Sequence, residues 1–406
     1  MRIFALLLGS VIVWLLAFGA AAEAGPADSA LNWLLGLVLG AFAGAAGTYH
    51  AVQRADAIAP DGKSPLDVQL PNLSPETVNV YKVWFATNRQ LKGDEFTHDL
   101  DENLRFGDCQ VAIPESHEFG SLGSSSYVRL LQRVTKGSDD LLRIVKKSVW
   151  TLEEGPQGFL KSIHAALDAE ANQILVYVHG YNVSFENAIV RAAQIGFDLK
   201  VPGITAAFCW ASKAQLSAYI ADAEHVQLSG KHLADFLAML NTNFPDSTIN
   251  IIAHSMGNCA LMYVLENIHN HPGLTTAKFG QIILAAPDID EQSFRRVAAL
   301  YPQLSVRTTL YVCASDRALQ ESGREHGNIR IGYCPPVIVV PGIDTVEATN
   351  VSLDLLGHGY YASAESVLRD MHLLLYNNTP PAKRPSLLRS PCADGASYWK
   401  LSRVAG

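Results

Sequence analysis

The sequence predicts an α/β fold in which a mostly parallel sheet is covered by helices on both faces. Short apolar, β-branched runs alternate along the chain with amphipathic stretches of helical spacing. Such an order requires crossover connections, and these make neighbouring strands parallel. The second observation is a serine that lies between one such strand and one such helix, in residues 249–268. An apolar N-terminus is the third, and it adds one or two membrane segments ahead of the domain.

The predicted elements run from residue 127 to residue 376. The strands are residues 127–134, 142–152, 173–178, 204–210, 249–254, 282–286 and 308–314. The helices are residues 158–169, 185–197, 218–240, 258–268, 291–300 and 364–376. Because the first two strands partly alternate in polarity, we expect the sheet to begin with antiparallel or mixed strands.

Residues 249–257 read Ile-Asn-Ile-Ile-Ala-His-Ser-Met-Gly and carry the strongest functional signal. A strand that leads into small-x-Ser-x-Gly and then a helix is typical of a strained turn that exposes a nucleophilic serine. Ala253 and Gly257 fill the two positions that must be small, so that strand and helix can pass closely. We therefore predict that Ser255 is the nucleophile. His254 is expected to be a packing or site-lining residue.

A nucleophilic serine needs a base and a carboxylate that orients the base. In proteins with this kind of serine turn, the acid follows the serine along the chain, and the histidine follows the acid. Asp316 comes just after the strand at residues 308–314, and His358 lies between two glycines ahead of the last helix. We assign His358 as general base and acid, and Asp316 as the carboxylate that fixes its tautomer.

A second aspartate could fill the role of the acid. Asp288 follows the strand at residues 282–286, a position from which it could also reach the histidine. Alternatively, Asp288 or Asp290 could cap the next helix. Asp316 is the favoured acid, and Asp288 is the alternative.

Oxyanion donors are expected upstream of the serine. The strand at residues 173–178 runs into His179-Gly180-Tyr181-Asn182. One backbone N–H is expected from Met256, and the second from Tyr181 or Asn182. Each such donor lowers the barrier by typically ~3–4 kcal/mol. From position alone, Tyr181, Trp210 and Tyr360 are expected to line the pocket.

These motifs resemble the α/β-hydrolase superfamily, and more specifically a bacterial esterase/lipase-like family of serine hydrolases without a settled substrate. The resemblance covers residues 80–376. It rests on residues 83–89, 106–120, 178–182, 253–258 and 286–290, together with the Asp316 and His358 loops. It implies an α/β-hydrolase fold and a serine hydrolase. Within residues 83–89, two roles are open for Asn88 and Arg89. They could line or brace the active site, or they could have a purely structural role.

The N-terminus predicts a membrane anchor. Residues 1–24 are expected to be a signal peptide or a first transmembrane helix, because an apolar stretch precedes an Ala-x-Ala pattern. Residues 31–50 contain no charged side chain and are long enough to span a bilayer, which takes ~20 residues. Arg2 and Arg54 flank the pair of segments, which favours a domain on the cytoplasmic side of a bacterial inner membrane over a periplasmic one. An exported, unanchored segment is the alternative.

The remaining boundaries and partners follow from composition. Residues 51–78 are expected to be a linker, residues 79–376 the catalytic domain, and residues 377–406 a C-terminal tail.

The chain has 406 residues, a net charge of -8 and no basic block interleaved with aromatic residues, which argues against nucleic acid as a partner. The spacing of the six cysteines suggests neither a disulfide framework nor a zinc site.

The sequence therefore predicts a membrane-anchored serine hydrolase, of carboxylesterase or lipase-like type, that acts through an acyl-enzyme on Ser255. It would need no metal or cofactor, and its substrate would be a small-molecule or lipid ester. Two alternatives remain open. An alcohol could replace water, which would make the protein an acyltransferase. A catalytically degenerate domain could instead serve as a membrane-tethered binding or scaffold module.

Overall fold

The computed structural model of this protein describes residues 78–123, 141–349, 358–392 and 395–402. The predicted membrane segments at residues 1–24 and 31–50, the linker except Val78, and the predicted strand at residues 127–134 lie outside these ranges. Of the helices within them, none combines the length and the apolar character that crossing a membrane requires.

A single sheet of eleven strands organises the described residues. The strands are β1 (Val78–Lys92), β2 (Glu95–Pro114), β3 (Arg143–Val149), β4 (Gln173–Val178), β5 (Gly203–Cys209), β6 (Thr248–His254), β7 (Phe279–Ala285), β8 (Ser305–Val312), β9 (Ile343–Glu347), β10 (Leu387–Pro391) and β11 (Ser397–Leu401). The helices are α1 (Gly155–His164), α2 (Phe185–Asp198), α3 (Tyr219–Asn243), α4 (Gly257–Glu266), α5 (Glu291–Val297), α6 (Tyr301–Leu304), α7 (Arg317–His326), α8 (Tyr360–Ser363) and α9 (Glu365–Asn377). Short 3-10 turns lie at Leu216–Ala218, Ile268–Asn270, Ala298–Leu300 and Pro381–Lys383.

The strand order is β10-β11-β9-β8-β7-β6-β4-β5-β1-β2-β3. From β11 to β1 every neighbouring pair is parallel, and β2 is antiparallel to both β1 and β3. The mostly parallel sheet with an antiparallel beginning is thus confirmed. The chain passes from β4 to β5 on one side and then returns to place β6 on the other side of β4. This reversal is the topological switch point at which open α/β sheets bind ligands.

Two hydrophobic cores cover the two faces of the sheet. Side chains alternate along β4, where Ile174 and Val176 enter one core and Leu175 and Tyr177 enter the other. The first core also contains the buried faces of α1, α3 and α4. The second contains those of α2 and α9. Because both faces are covered, the central strands are mostly apolar, which is why the sequence reveals them.

Three helices begin at side-chain caps that the sequence supplies locally. Ser184, Asp290 and Asp316 each accept the backbone N–H three residues further on, at 3.2, 2.9 and 3.0 Å. These bonds satisfy N–H groups that have no acceptor inside the helix. They fix the starts of α2, α5 and α7 at the carboxyl ends of the parallel strands, where the candidate site lies.

The N-terminal part of the domain is a long hairpin, which precedes the first strand predicted from the sequence. β1 and β2 pair in antiparallel register along most of their length, and Gly93, with a φ of 61°, opens the turn between them. Residues 83–89 lie on β1, which also pairs with β5 in parallel. The hairpin therefore carries the Ala-Thr-Asn-Arg segment to the end of β5, close to the switch point.

The prediction that residues 377–406 form a tail is wrong for most of its length. Strands β10 and β11 extend the sheet, and β11 pairs with β9. Arg384 is fully buried, and its guanidinium donates to the Asp370 carboxylate at 2.7 Å. The Tyr311 hydroxyl donates to the same carboxylate at 2.6 Å. The domain therefore continues past residue 376 and through β11.

The packing of α4 against β4 leaves no room for a side chain at residue 257. A Cβ added to Gly257 would lie 2.4 Å from the His179 carbonyl oxygen and 2.9 Å from the Val178 carbonyl oxygen. Both obstacles are backbone atoms, so they cannot move aside as a flexible side chain could. Glycine at this position is therefore a steric requirement of the strand–helix crossing.

We expect the substitution Gly257→Ala to lower the free energy of unfolding by about 1–3 kcal/mol, because it overpacks this crossing. Urea unfolding followed by circular dichroism measures the change. Gly155→Ala is the matched control, since a Cβ there would meet its nearest atom, Phe106 Cδ2, at an ordinary 3.4 Å. Equal unfolding midpoints for the two variants would contradict this account of the crossing.

Candidate active site

Ser255 lies on a sharp turn between β6 and α4. Its φ is 50°, in the left-handed region that side chains other than glycine rarely adopt. The Ser255 N–H donates to the Ala285 carbonyl at 2.9 Å. The Asn258 side chain donates to the carbonyls of Ala253 and Ser255, at 2.9 and 3.0 Å. Strained backbone of this kind persists where surrounding contacts impose it, and it clusters at functional sites.

The end of β4 packs directly onto this turn. A Cβ added to Gly180 would lie 2.8 Å from Ser255 Cβ and 2.8 Å from His254 Nδ1. Gly180 therefore permits a close approach of the backbone after β4 to the serine turn. The two strands that meet here, β4 and β6, are those that flank the switch point of the sheet.

The structure brings Asp316 and His358 together. His358 Nδ1 lies 2.7 Å from Asp316 Oδ2, and the aspartate side chain is fully buried whereas the histidine is partly exposed. The other carboxylate oxygen of Asp316 caps α7. A carboxylate beside Nδ1 assigns the proton of a neutral imidazole to that nitrogen, which leaves Nε2 as the basic atom.

Asp288, the alternative acid, lies in a different network. Its carboxylate accepts from the Tyr219 hydroxyl and from the Ser322 hydroxyl, each at 2.7 Å. Arg330 Nε lies 3.2 Å from the same carboxylate. Of the two aspartates considered as helix caps, Asp290 is the one that caps α5. The geometry therefore favours Asp316 as the partner of His358.

His254 links the serine turn to the histidine loop. Its Nε2 lies 3.3 Å from the His358 carbonyl oxygen, and the two ring centroids are 4.7 Å apart. The His254 ring also stacks on the Tyr361 ring, with centroids 4.1 Å apart. Burial, helped by the neighbouring His358, holds the pKa of His254 well below its usual value. His254 is therefore a neutral packing residue that contacts the backbone of His358, a contact that its place in the sequence does not reveal.

His179 supports the site without taking part in it. Its ring stacks on Trp210 with centroids 4.9 Å apart, and Trp210 Nε1 donates to the His179 carbonyl at 2.7 Å. Burial lowers the pKa of His179 to about 3, so its ring is neutral at pH 7. Trp210 and Tyr360, which were expected to line the pocket, are both fully buried.

Of the two candidate donors that follow Gly180, Asn182 already has an acceptor for its backbone N–H. The Asn182 N–H donates to the Asp222 carboxylate at 3.1 Å, so this donor is already engaged. The Tyr181 hydroxyl donates to the Leu216 carbonyl, which holds the tyrosine against the start of α3. Met256 directly precedes α4, where N–H groups have no acceptor inside the helix. The geometry favours Met256 and Tyr181 over Asn182 as an oxyanion pair.

Within the part of the chain that the structure describes, no group of three or more histidine, cysteine, aspartate or glutamate side chains is arranged to hold a metal ion.

Comparison with known proteins places the chain in a family. Residues 158–376 match the family described as "Alpha/beta hydrolase of unknown function (DUF900)". No curated protein matches the chain at a significant level.

Two solved structures are similar to parts of the chain. One is an uncharacterized protein from Bacillus cereus ATCC 10987, with 12% identity, a TM-score of 0.33 and coverage of 52% of this chain and 62% of that chain. The other is a predicted CIB-like hydrolase from Thermoplasma acidophilum, with 17% identity, a TM-score of 0.30 and coverage of 52% and 89%. The chain thus spans less than two thirds of the length of the Bacillus protein. Because the family match takes in more than half of the sequence and the sheet has the expected form, the protein belongs to the α/β-hydrolase family of unknown function DUF900.

Proposed function

We propose that this protein is a serine hydrolase that cleaves carboxylic esters through an acyl-enzyme on Ser255. One observation carries the proposal: a buried aspartate, Asp316, is hydrogen-bonded at 2.7 Å to Nδ1 of His358, whose carbonyl lies 3.3 Å from Nε2 of His254, the residue just before the strained Ser255. An activated serine with a histidine base and an orienting carboxylate is the arrangement that acyl transfer needs. Esters are the substrates that such a serine cleaves most easily.

The reaction would proceed in two steps. Ser255 Oγ attacks the ester carbonyl while His358 Nε2 takes the hydroxyl proton, and the same proton passes to the departing alkoxide. Water then attacks the acyl-enzyme with His358 again as base, which releases the acid and regenerates the serine. This proton transfer requires Ser255 Oγ and His358 Nε2 to come within hydrogen-bond distance, an approach that in many enzymes is completed only in the substrate complex.

The charges that develop have partners in the fold. The negative oxygen of each tetrahedral intermediate would accept hydrogen bonds from the N–H groups of Met256 and Tyr181. The imidazolium that forms at His358 would be stabilised by Asp316, which stays ionised throughout. An alcohol in place of water would give acyl transfer through the same acyl-enzyme.

An apolar rim beside the oxyanion loop supports a lipid-derived or other hydrophobic ester as substrate. Leu216, whose carbonyl accepts the Tyr181 hydroxyl, has an exposed fraction of 67%, and Ile220 one turn further has 71%. The rings of Tyr181 and Tyr219 pack edge to face, with centroids 5.3 Å apart. Two exposed aliphatic side chains and two tyrosine rings next to one site offer more contact to an acyl chain than isolated surface residues would.

We expect a fluorophosphonate probe to label the wild-type protein but not the Ser255→Ala variant. Ser293 lies in the first turn of α5, and the control variant Ser293→Ala should be labelled as the wild type is.

The Asp316→Asn substitution should slow labelling by about 10³–10⁴-fold, because it removes the acceptor that fixes the His358 tautomer. Asp288→Asn is the matched control for the acid and should label at nearly the wild-type rate. In-gel fluorescence against time gives the rates.

The labelling rates test both the hydrolase proposal and the choice of Asp316 as the acid. Folded wild-type protein that never labels would contradict the hydrolase proposal and favour a binding or scaffold module. A larger loss in Asp288→Asn than in Asp316→Asn would reverse the assignment of the acid.

We further propose that residues 31–50, with residues 1–24 as signal or first span, anchor the protein in a bacterial inner membrane with the domain in the cytoplasm. The support is the uncharged apolar stretch and the flanking arginines, Arg2 and Arg54. After alkaline carbonate extraction the full chain should stay with the membranes, and a variant that lacks residues 1–50 should not. Protease added to spheroplasts should leave the domain intact, whereas digestion would show a periplasmic domain.

A further inference from the structure

Two buried, oppositely charged side chains lie beside the candidate oxyanion loop and have no role in the reaction described above. Arg89, at the end of the Ala-Thr-Asn-Arg segment on β1, is fully buried. Asp222, in the first turn of α3, is fully buried as well. A buried charge is costly unless hydrogen bonds and opposite charges compensate it, so the partners of each group define what it holds in place.

Arg89 binds the backbone of two loops at once. Its Nη2 donates to the Val183 carbonyl at 2.8 Å, on the loop after β4. Its Nη1 donates to the Ser212 carbonyl at 3.0 Å, on the loop after β5. Burial lowers the pKa of Arg89 to about 10, so the side chain remains charged at pH 7. The rigid, planar fork of donors is what allows one side chain to fix two separate backbones.

Asp222 binds the same two loops through their donors. It accepts from the Asn182 N–H at 3.1 Å, on the loop after β4. On the loop after β5 it accepts from the Ser212 hydroxyl and the Lys213 N–H, each at 2.6 Å. Ser212 also joins the loops directly, since its hydroxyl accepts from the Val183 N–H at 3.1 Å.

The cation and the anion therefore clamp one short stretch of backbone, residues 182–183, from its carbonyl side and its N–H side. Tyr181 immediately precedes this stretch, and Asn182 holds a φ of 58°, which is uncommon for a side-chain-bearing residue. An oxyanion donor is effective only when its N–H points at the developing charge before the reaction begins. The clamp fixes the peptide that follows Tyr181, and so restricts how far the Tyr181 backbone can turn.

We propose that Arg89 and Asp222 are positioning residues that preset the Tyr181 N–H as an oxyanion donor. The inference rests on the proposed function, since it gives the clamp a role in the same reaction. Neither side chain touches the substrate, and both act through the backbone of residues 182–183. The Ala-Thr-Asn-Arg segment thereby gains a role in transition-state stabilisation in addition to folding.

The test compares Asp222→Asn, Arg89→Lys and the milder Ser212→Ala with the wild-type protein. Asp370→Asn is the matched control, because Asp370 is an equally buried carboxylate that accepts from Tyr311 and Arg384 outside the site. The measured quantities are kcat and KM for p-nitrophenyl butyrate, the inhibition constant of an alkyl trifluoromethyl ketone, and the thermal unfolding midpoint. The ketone forms an oxyanion on the serine and so reports on the donors, whereas KM reports on ground-state binding.

We expect Asp222→Asn and Arg89→Lys to lower kcat by roughly 10- to 100-fold and to weaken trifluoromethyl ketone binding in parallel, with KM nearly unchanged. Ser212→Ala should show a smaller change in the same direction. Asp370→Asn should lower the unfolding midpoint and leave kcat and ketone affinity as in the wild type.

Two results would count against the inference in different ways. If the wild type binds the ketone and the clamp variants bind it equally well, while losing stability as Asp370→Asn does, the clamp is only structural and the inference is overturned. If the folded wild type neither hydrolyses the ester nor binds the ketone, the proposed function fails, and the inference fails with it.

Discussion

The close approach of β4 to the serine turn is the constraint on which the rest of the site depends. Glycine at residues 180 and 257 lets the backbone after β4 pass beside Ser255 with no intervening side chain. This approach leaves Ser255 in a left-handed conformation at the switch point of the sheet. It also brings the backbone after β4 against the start of α4, the two segments that carry the proposed oxyanion donors. A larger residue at either position would separate the nucleophile from the groups that are proposed to stabilise its product.

Three buried aspartates near the site show how environment separates roles among identical side chains. Asp316 faces a histidine, Asp222 faces backbone N–H groups and a serine hydroxyl, and Asp288 faces a tyrosine, a serine and an arginine. In the proposed reaction only Asp316 would support the proton transfers, by orienting His358 and stabilising its imidazolium, because only Asp316 is bonded to the proposed base. The histidines divide in the same way. Burial keeps His179 and His254 neutral, whereas His358 is partly exposed and paired with a carboxylate.

Much of the fold was predictable because the central strands are buried on both faces and therefore read as apolar runs. β4 was predicted with the bounds it has, and the bounds of α2 and α9 differ by one residue from those predicted. The β1–β2 hairpin was missed because its outer half is polar and partly exposed. Strands β10 and β11 were missed because short, mixed sequences at a sheet edge carry little periodicity. The contacts of Arg89 could not be read from sequence, since its partners Val183 and Ser212 are 94 and 123 residues away along the chain.

A crystal structure of the protein after reaction with an alkyl fluorophosphonate would test the central claim most directly. The account predicts a phosphorus bonded to Ser255 Oγ, with one phosphonyl oxygen accepting from the N–H groups of both Met256 and Tyr181 at about 2.7–3.1 Å. It also predicts His358 Nε2 within hydrogen-bond distance of the adduct and still paired with Asp316 through Nδ1. An adduct on another residue, or a phosphonyl oxygen turned away from both N–H groups with His358 out of reach, would contradict it.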